Sequence, residues 1–361
     1  MKRILSLDGG GIRGLFTLEV LARVEKILRE KTHQPNLVLA DYFHFIGGTS
    51  TGAIIAASLS WGLPVADIKR LYLEQCRKVF SKKKTFGQFF YAKYAAEEMS
   101  NLLRCQFSED GDGKRPALLD SPRLRTLLLV VMRNGATGSP WPVTNNPGAK
   151  YNDPKLPDCN LRIPLWRLIR ASTAAPTIFP PEEIELGGRK HIFVDGAITP
   201  FNNPSFLMFL NATLPCYKLN WETGADKLLL LSVGTGRFRI KFKKTVAGDI
   251  NNLEQAKHAT LGMIDNSGSY QDTLCRVVGE CLSGEPIDSE MENLIGPGNS
   301  GPVPKQFTYA RYNHEFSTEE IAAIEASGTS YNVDDLTSVD FFCREGVKYA
   351  DAHVKPEHLP V

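Results

Sequence analysis

Ser50 stands in the pentad Gly48-Thr49-Ser50-Thr51-Gly52, a G-x-S-x-G pattern that can lift a serine hydroxyl clear of a sheet on a sharp strand-to-helix turn. The apolar run Tyr42 to Ile46 ahead of it and the small-residue stretch Ala53 to Ser60 behind it supply the strand and the helix that such a turn needs. Gly48 and Gly52 form the elbow, because side chains there would collide with the neighbouring backbone. The chemistry implied is nucleophilic attack. The plainer reading is a Gly-rich turn with Ser50 as a helix N-cap.

A second run, Asp8-Gly9-Gly10-Gly11-Ile12-Arg13-Gly14, also links a strand (Arg3 to Leu7) to an amphipathic helix. Its backbone N–H groups can converge on a negative charge at a helix N-terminus. In an acyl transfer that charge is the oxyanion of a tetrahedral intermediate, and losing one such donor costs about 3–4 kcal/mol. Gly9, Gly11 and Gly14 also satisfy G-x-G-x-x-G, the dinucleotide fingerprint. A nucleotide-binding module or a dehydrogenase is therefore the rival reading. Such an enzyme should place an acidic residue at the end of its second strand, whereas Asp41 precedes the strand that follows it.

A serine hydroxyl needs a base at neutral pH. Of the seven histidines, none lies in a loop that obviously returns to the elbow, and His191, on the strand before Asp195, stays open. Val194-Asp195-Gly196-Ala197 offers a carboxylate at a strand end, and an aspartate in a partly desolvated cleft can take the hydroxyl proton directly. Taken alone, Asp-Gly is more often a turn signal.

The elements that must position these residues alternate. Further strands are expected at Arg125 to Met132 and Lys227 to Val233, with helices near Val65 to Val79 and Leu165 to Ala171. That order predicts an α/β fold: a mainly parallel central sheet sandwiched by helices in three layers. Stretches rich in Gly, Pro, Asn and Asp between Thr137 and Pro157 and from Gly284 to Pro304 read as long surface loops. After Gly236 the pattern loosens into helical pieces around Leu253 to Ile264, Tyr270 to Leu282, Thr318 to Ala326 and Val339 to Ala352. The expected organisation is a catalytic domain over 1–236 and an appended helical region over 237–361, packed on or capping it, rather than more sheet.

The 42 basic and 40 acidic residues leave a net charge of +2, which excludes a global field for gathering a nucleic acid polymer. Seven scattered cysteines without a CxxC pair point to a reducing compartment and no structural metal. Nothing calls for a cofactor, and no acidic loop has the spacing for calcium. The N-terminus turns polar too soon for a signal segment, and no apolar run could span a bilayer. A cytoplasmic protein is expected, one that would have to meet any lipid substrate at a surface. Residues 80–91 and 237–244 mix basic and apolar side chains, and both read first as a solvated loop or an edge strand rather than as lipid contacts.

The three segments, in this order along the chain, resemble the patatin-like phospholipase family, whose pattern is a DGGGxRG loop, a GxSxG elbow and a DGG or DGA motif. The resemblance runs from Lys2 to Gly236 and includes Ala171-Ser172-Thr173-Ala174-Ala175-Pro176, Asn202-Asn203-Pro204 and Leu231 to Gly236. It implies a Ser-Asp dyad with Ser50 as nucleophile and Asp195 as base, an oxyanion hole from Gly9, Gly10 and Gly11, and Arg13 supporting that loop. It implies a lipid acyl hydrolase of phospholipase A type acting on a phospholipid membrane surface. Here Asp195 is followed by Gly196-Ala197 rather than by two glycines, a variation that leaves the roles intact. The organisation after Gly236 is similar to bacterial patatin phospholipases of antiphage defence, some of which are switched on by cyclic dinucleotides. That narrower likeness implies a cyclic dinucleotide activator.

Overall fold

The structure, a computed structural model, describes residues 1–80, 96–239, 251–296, 301, 304–330 and 332–361. The chain begins with strand β1 (Lys2–Leu7) and helix α1 (Gly14–Thr32), then the short helix α2 (Leu39–Tyr42), strand β2 (Phe45–Thr49) and helix α3 (Thr51–Ser60). Helices α4 (Val65–Phe80) and α5 (Ala96–Gln106) follow, then strand β3 (Leu127–Asn134) and strand β4 (Pro140–Thr144). Helix α6 (Leu165–Ser172), strands β5 (Glu182–Leu186) and β6 (Arg189–Asp195), helix α7 (Ser205–Thr213) and strand β7 (Leu228–Val233) complete the expected catalytic half.

All the described strands join one sheet in the order β5-β6-β3-β2-β1-β7, with β4 pairing β3. The centre is parallel: β1 pairs β2 and β7, and β2 pairs β3, all in the same direction. The β5-β6 hairpin and β4 run antiparallel to their neighbours. The central strands read as continuous apolar runs because both faces are covered. In β3, Leu128, Val130 and Met132 pack with α1, α3, α4 and α6, while Leu129 and Val131 face α7 on the other side. That is the three-layer sandwich that the alternation predicts.

The region after Gly236 departs from the expectation of helix alone. Helix α8 (Asn252–Val278) is followed by strand β8 (Glu280–Ser283), strand β9 (Thr308–Tyr312), helix α9 (Thr318–Ala326) and helix α10 (Val339–His353). Strand β9 pairs β7 in parallel and β8 pairs β9, so the sheet runs on past residue 236. Two expected helical pieces merge into α8, which starts on a capping box between Asn251 and Glu254 and continues through Gly262 and Gly268. The stretch between Thr137 and Pro157 likewise contains a strand, β4, rather than loop alone.

Residues 81–91 and 240–244 of the two basic-aromatic segments lie outside the described residues. Phe238, inside the second, is buried and stacks on Phe316 at 4.5 Å. Among the described residues, no helix is long and apolar enough to cross a membrane.

Candidate active site

Ser50 caps β2 and opens α3 with φ 55° and ψ −122°, a conformation that costs a non-glycine residue on the order of 1–3 kcal/mol and persists only when the surroundings over-determine it. They do so here. A Cβ on Gly48 would lie 2.3 Å from the Gly52 carbonyl, and one on Gly52 would lie 2.3 Å from the Leu7 oxygen. The elbow glycines are therefore steric requirements. The Ser50 N–H donates to Ser172 Oγ at 2.8 Å, and Ser172 Oγ donates in turn to the Val131 carbonyl at 2.6 Å. Although Ser50 occupies the N-cap position, its side chain makes no capping bond.

Its hydroxyl points instead at Asp195, donating to Oδ2 at 2.6 Å. Asp195 ends β6, which pairs with β3 through Met132, and the other carboxylate oxygen accepts the Ala197 N–H at 2.8 Å. Gly196 is required there, because its Cβ would meet the Val131 oxygen at 2.3 Å. Asp195 is 1% exposed and Ser50 8%. Burial pushes the Asp195 carboxyl from 3.8 up to about 7, against the opposing pull of the Ser50 and Ala197 hydrogen bonds and of the Arg170 charge. His191, left open by sequence, turns to Asn134 at 3.2 Å and packs on Trp141.

The Gly9-Gly10-Gly11 loop lies against the elbow, with the Cβ position of Gly9 only 3.2 Å from Ser50 Cβ. The three amides are not equivalent. Gly9 N–H is engaged by the Asn202 carbonyl at 3.1 Å, whereas the N–H groups of Gly10 and Gly11 have no acceptor among the described residues. Their carbonyl neighbours are held. Thr235 Oγ1 donates to the Gly9 oxygen, and both the N–H and Nε of Arg13 donate to the Gly10 oxygen, each at 3.3 Å. Because a trans peptide points its C=O and N–H in opposite directions, these bonds orient the Gly10 and Gly11 amides away from Thr235 and Arg13. Thr51 Oγ1 and the Tyr72 hydroxyl hold the Gly11 carbonyl. Gly11 has φ +58°, and its Cβ position meets the Val333 oxygen at 2.2 Å, so the C-terminal region packs directly onto this loop. Ile12 N–H donates to the same oxygen at 2.8 Å.

Sequence reasoning missed Arg170 as a contributor and quoted Ser172 and Thr235 only within longer matching segments. Arg170 is fully buried on α6 and donates from Nη2 to the Pro180 carbonyl at 2.8 Å, while Nε and Nη1 have no partner. Its charge acts on Asp195 from behind. A basic residue in an apolar helical stretch, two positions before a serine, was the available signal.

The family model for patatin-like phospholipase matches residues 5–208, more than half of the chain. A cGAMP-activated phospholipase of Escherichia coli is 30% identical over 236 residues, 64% of this chain and 62% of the relative. A Vibrio cholerae protein of the same name is 30% identical over 57% of this chain and 56% of its own length. Patatin-T5 of Solanum tuberosum is 30% identical over 72% of this chain and 66% of that protein. The aligned part spans less than two thirds of each of these relatives. From the hydrogen-bonded Ser50 and Asp195 to the match across 5–208, the sequence and the geometry agree: this chain belongs to the patatin-like phospholipase family.

Proposed function

We propose that the chain is a lipid acyl hydrolase of phospholipase A type that cleaves glycerophospholipid esters through a Ser50-Asp195 dyad. The observation that carries this reading is the buried 2.6 Å hydrogen bond from Ser50 Oγ to Asp195 Oδ2 on a strained elbow. Asp195 takes the hydroxyl proton as Ser50 Oγ bonds to the ester carbonyl carbon. The carbonyl oxygen becomes an oxyanion facing the Gly10 and Gly11 amides. Collapse expels the lysolipid alkoxide, which takes the proton from Asp195 and leaves an acyl-Ser50. Water, giving a proton to Asp195, then attacks the acyl carbon, and as the bond to Ser50 Oγ breaks Asp195 returns the proton to that oxygen, releasing the fatty acid. A base that titrates near 7 suits this shuttle, since it is substantially ionised at neutral pH and still able to hold a proton.

Of the three glycines named for the oxyanion hole, Gly10 and Gly11 supply the donors in this reading, and Gly9 supplies close approach to Ser50. Arg13 supports the loop through the Gly10 carbonyl. The dinucleotide alternative is not favoured: the matching family and the similar proteins are phospholipases and patatins, and Gly9 N–H, one donor of a fingerprint loop, is already engaged by the Asn202 carbonyl. In the bacterial relatives' names phospholipase activity is tied to cGAMP, and on that ground the reading extends to a cyclic dinucleotide activator and a membrane-degrading role in antiphage defence. The enzyme then works in the cytoplasm at the inner membrane surface.

The test is fatty acid release from phospholipid vesicles by the wild type, Ser50→Ala and Asp195→Asn, with and without cyclic dinucleotides. Loss in both variants is expected. Wild-type protein inert under every condition would overturn the hydrolase reading.

A further inference from the structure

Strand β3 pairs with two strands along successive stretches: with β2 as far as Val131, opposite Thr49, and with β6 from Met132, opposite Asp195. Ser50 and Asp195 therefore stand where those two strands stop, and the sheet alone does not fix the gap between them. The turn at the end of α6 touches both. The Asp195 N–H donates to the Ala174 carbonyl at 3.1 Å, and the Arg170 charge acts on the Asp195 carboxylate. Ser172, the last residue of α6 and fully buried, takes the other partner. Its Oγ accepts the Ser50 N–H at 2.8 Å and donates to the Val131 carbonyl at 2.6 Å. The turn is itself pinned, with Thr173 Oγ1 donating to the Arg170 carbonyl at 3.1 Å and the Ala175 N–H to the Thr173 carbonyl at 2.8 Å.

Ser50 N–H, the first amide beyond the β2-β3 ladder, thus reaches β3 only through an interposed hydroxyl. That spacer holds the end of β2 off β3 and leaves Ser50 room to turn to φ 55° and ψ −122°, a backbone state that persists only where its surroundings hold it. We infer that Ser172 is a positioning residue of the dyad, keeping the Ser50 hydroxyl at bonding distance from the Asp195 carboxylate out of the same turn that holds the Asp195 backbone. Without the Ser172 hydroxyl, the Ser50 N–H loses its acceptor and the Val131 carbonyl loses this donor, both in the buried interior. Their remedy is to close on each other, which draws Ser50 towards β3 and its Oγ off Asp195. A serine that did no more than satisfy two backbone groups would matter for stability and leave the chemistry of the dyad alone. The positioning role deepens the proposed hydrolase and rests on that reading.

The experiment compares the wild-type chain with Ser172→Ala, and with Ser172→Cys should the alanine variant fail to fold, since a thiol fills the space but bonds weakly. Two readouts are taken: fatty acid release from phosphatidylcholine vesicles as a function of pH, and the rate at which a fluorophosphonate labels Ser50. The expected result is kcat lowered about tenfold or more with KM kept within about twofold, and labelling slowed in parallel. The pH inflection should also move upward from about 7, because the Ser50 hydrogen bond is one of the interactions that favour the ionised carboxylate. A variant that melts earlier yet keeps kcat, inflection and labelling rate, or whose loss is confined to KM, overturns the inference and leaves the hydrolase standing. Wild-type Ser50 that takes the label, more slowly in the variant, in a protein that never cleaves lipid supports the positioning role and overturns the lipid reading. Wild-type protein that neither takes the label nor cleaves lipid overturns both.

Discussion

Replacing Asp195 by asparagine should abolish lipid cleavage and at the same time stabilise the protein, by an amount that depends on pH. The folded carboxyl holds its proton up to about 7, whereas the unfolded one releases it near 3.8. Between those values the native state binds more protons, so wild-type stability falls as pH rises from about 4 to 7 and levels off above. The interval from 3.8 to about 7 corresponds to ~4 kcal/mol in total. Of this, ~3 kcal/mol is lost between pH 5 and pH 8. With an unfolding entropy of roughly 2.1 cal/mol/K per residue, that is a Tm difference of ~4 °C in a chain of 361 residues. The substituted amide carries no titrating proton. The gap between Asp195→Asn and wild type should therefore widen by ~4 °C from pH 5 to pH 8 in thermal melts, all other titrations cancelling in the comparison. A gap that stays constant, or shrinks towards pH 8, would refute the claim that this carboxylate is held ionised at a cost.

Wild-type fatty acid release should fall about tenfold per pH unit below 7, as the base protonates, and Arg170→Met should move the inflection upward by removing a charge that favours the carboxylate; an inflection near 4 in the wild type would contradict this. Gly11→Ala places a side chain at φ +58° and 2.2 Å from the Val333 oxygen, and activity should drop at least ~100-fold with circular dichroism unchanged; near-normal turnover would show that the loop does not present the donors. His314 sits between Glu285 and Glu320 at 2.9 and 3.1 Å. Burial alone would lower its pKa, but the two carboxylates outweigh it and the net direction is upward. The stability it adds is full below 6.5 and is lost as pH climbs through the higher folded value. Melts should accordingly show Glu285→Gln costing more at pH 6 than at pH 9, and an equal cost at both would count against the imidazolium.

The candidate nucleophile Ser50 was legible because its turn demands small residues at fixed offsets: Gly48 and Gly52 lie where a Cβ would strike backbone. The central strands were legible for a similar reason, since β3 and β7 are buried on both faces and read as unbroken apolar runs. Asp195 was less so. An Asp-Gly pair is locally a turn, and only the pairing of β6 with β3, set by residues over 50 positions away, brings the carboxylate to Ser50. Strand β9 was missed because it is five residues long and carries Arg311, whose burial makes sense only with Asp8 as partner. The inequality of Gly9, Gly10 and Gly11 was likewise hidden, because the bonds that distinguish them come from Asn202, Thr235 and Val333, each far along the chain.

The Asp8-Arg311 pair joins residues 303 positions apart, and its consequence extends to synthesis. On the ribosome, the segment bearing Ser50 and the Gly-rich loop emerges well before β9, and Asp8 must wait for its counter-charge. At roughly 5–20 residues per second the delay is about 15–60 s. Until β9 arrives beside β7, the strand that feeds the loop carries an uncompensated carboxylate and cannot settle into its buried place at low cost. A nascent chain is thereby kept from settling the Gly-rich loop before residue 311 has been made.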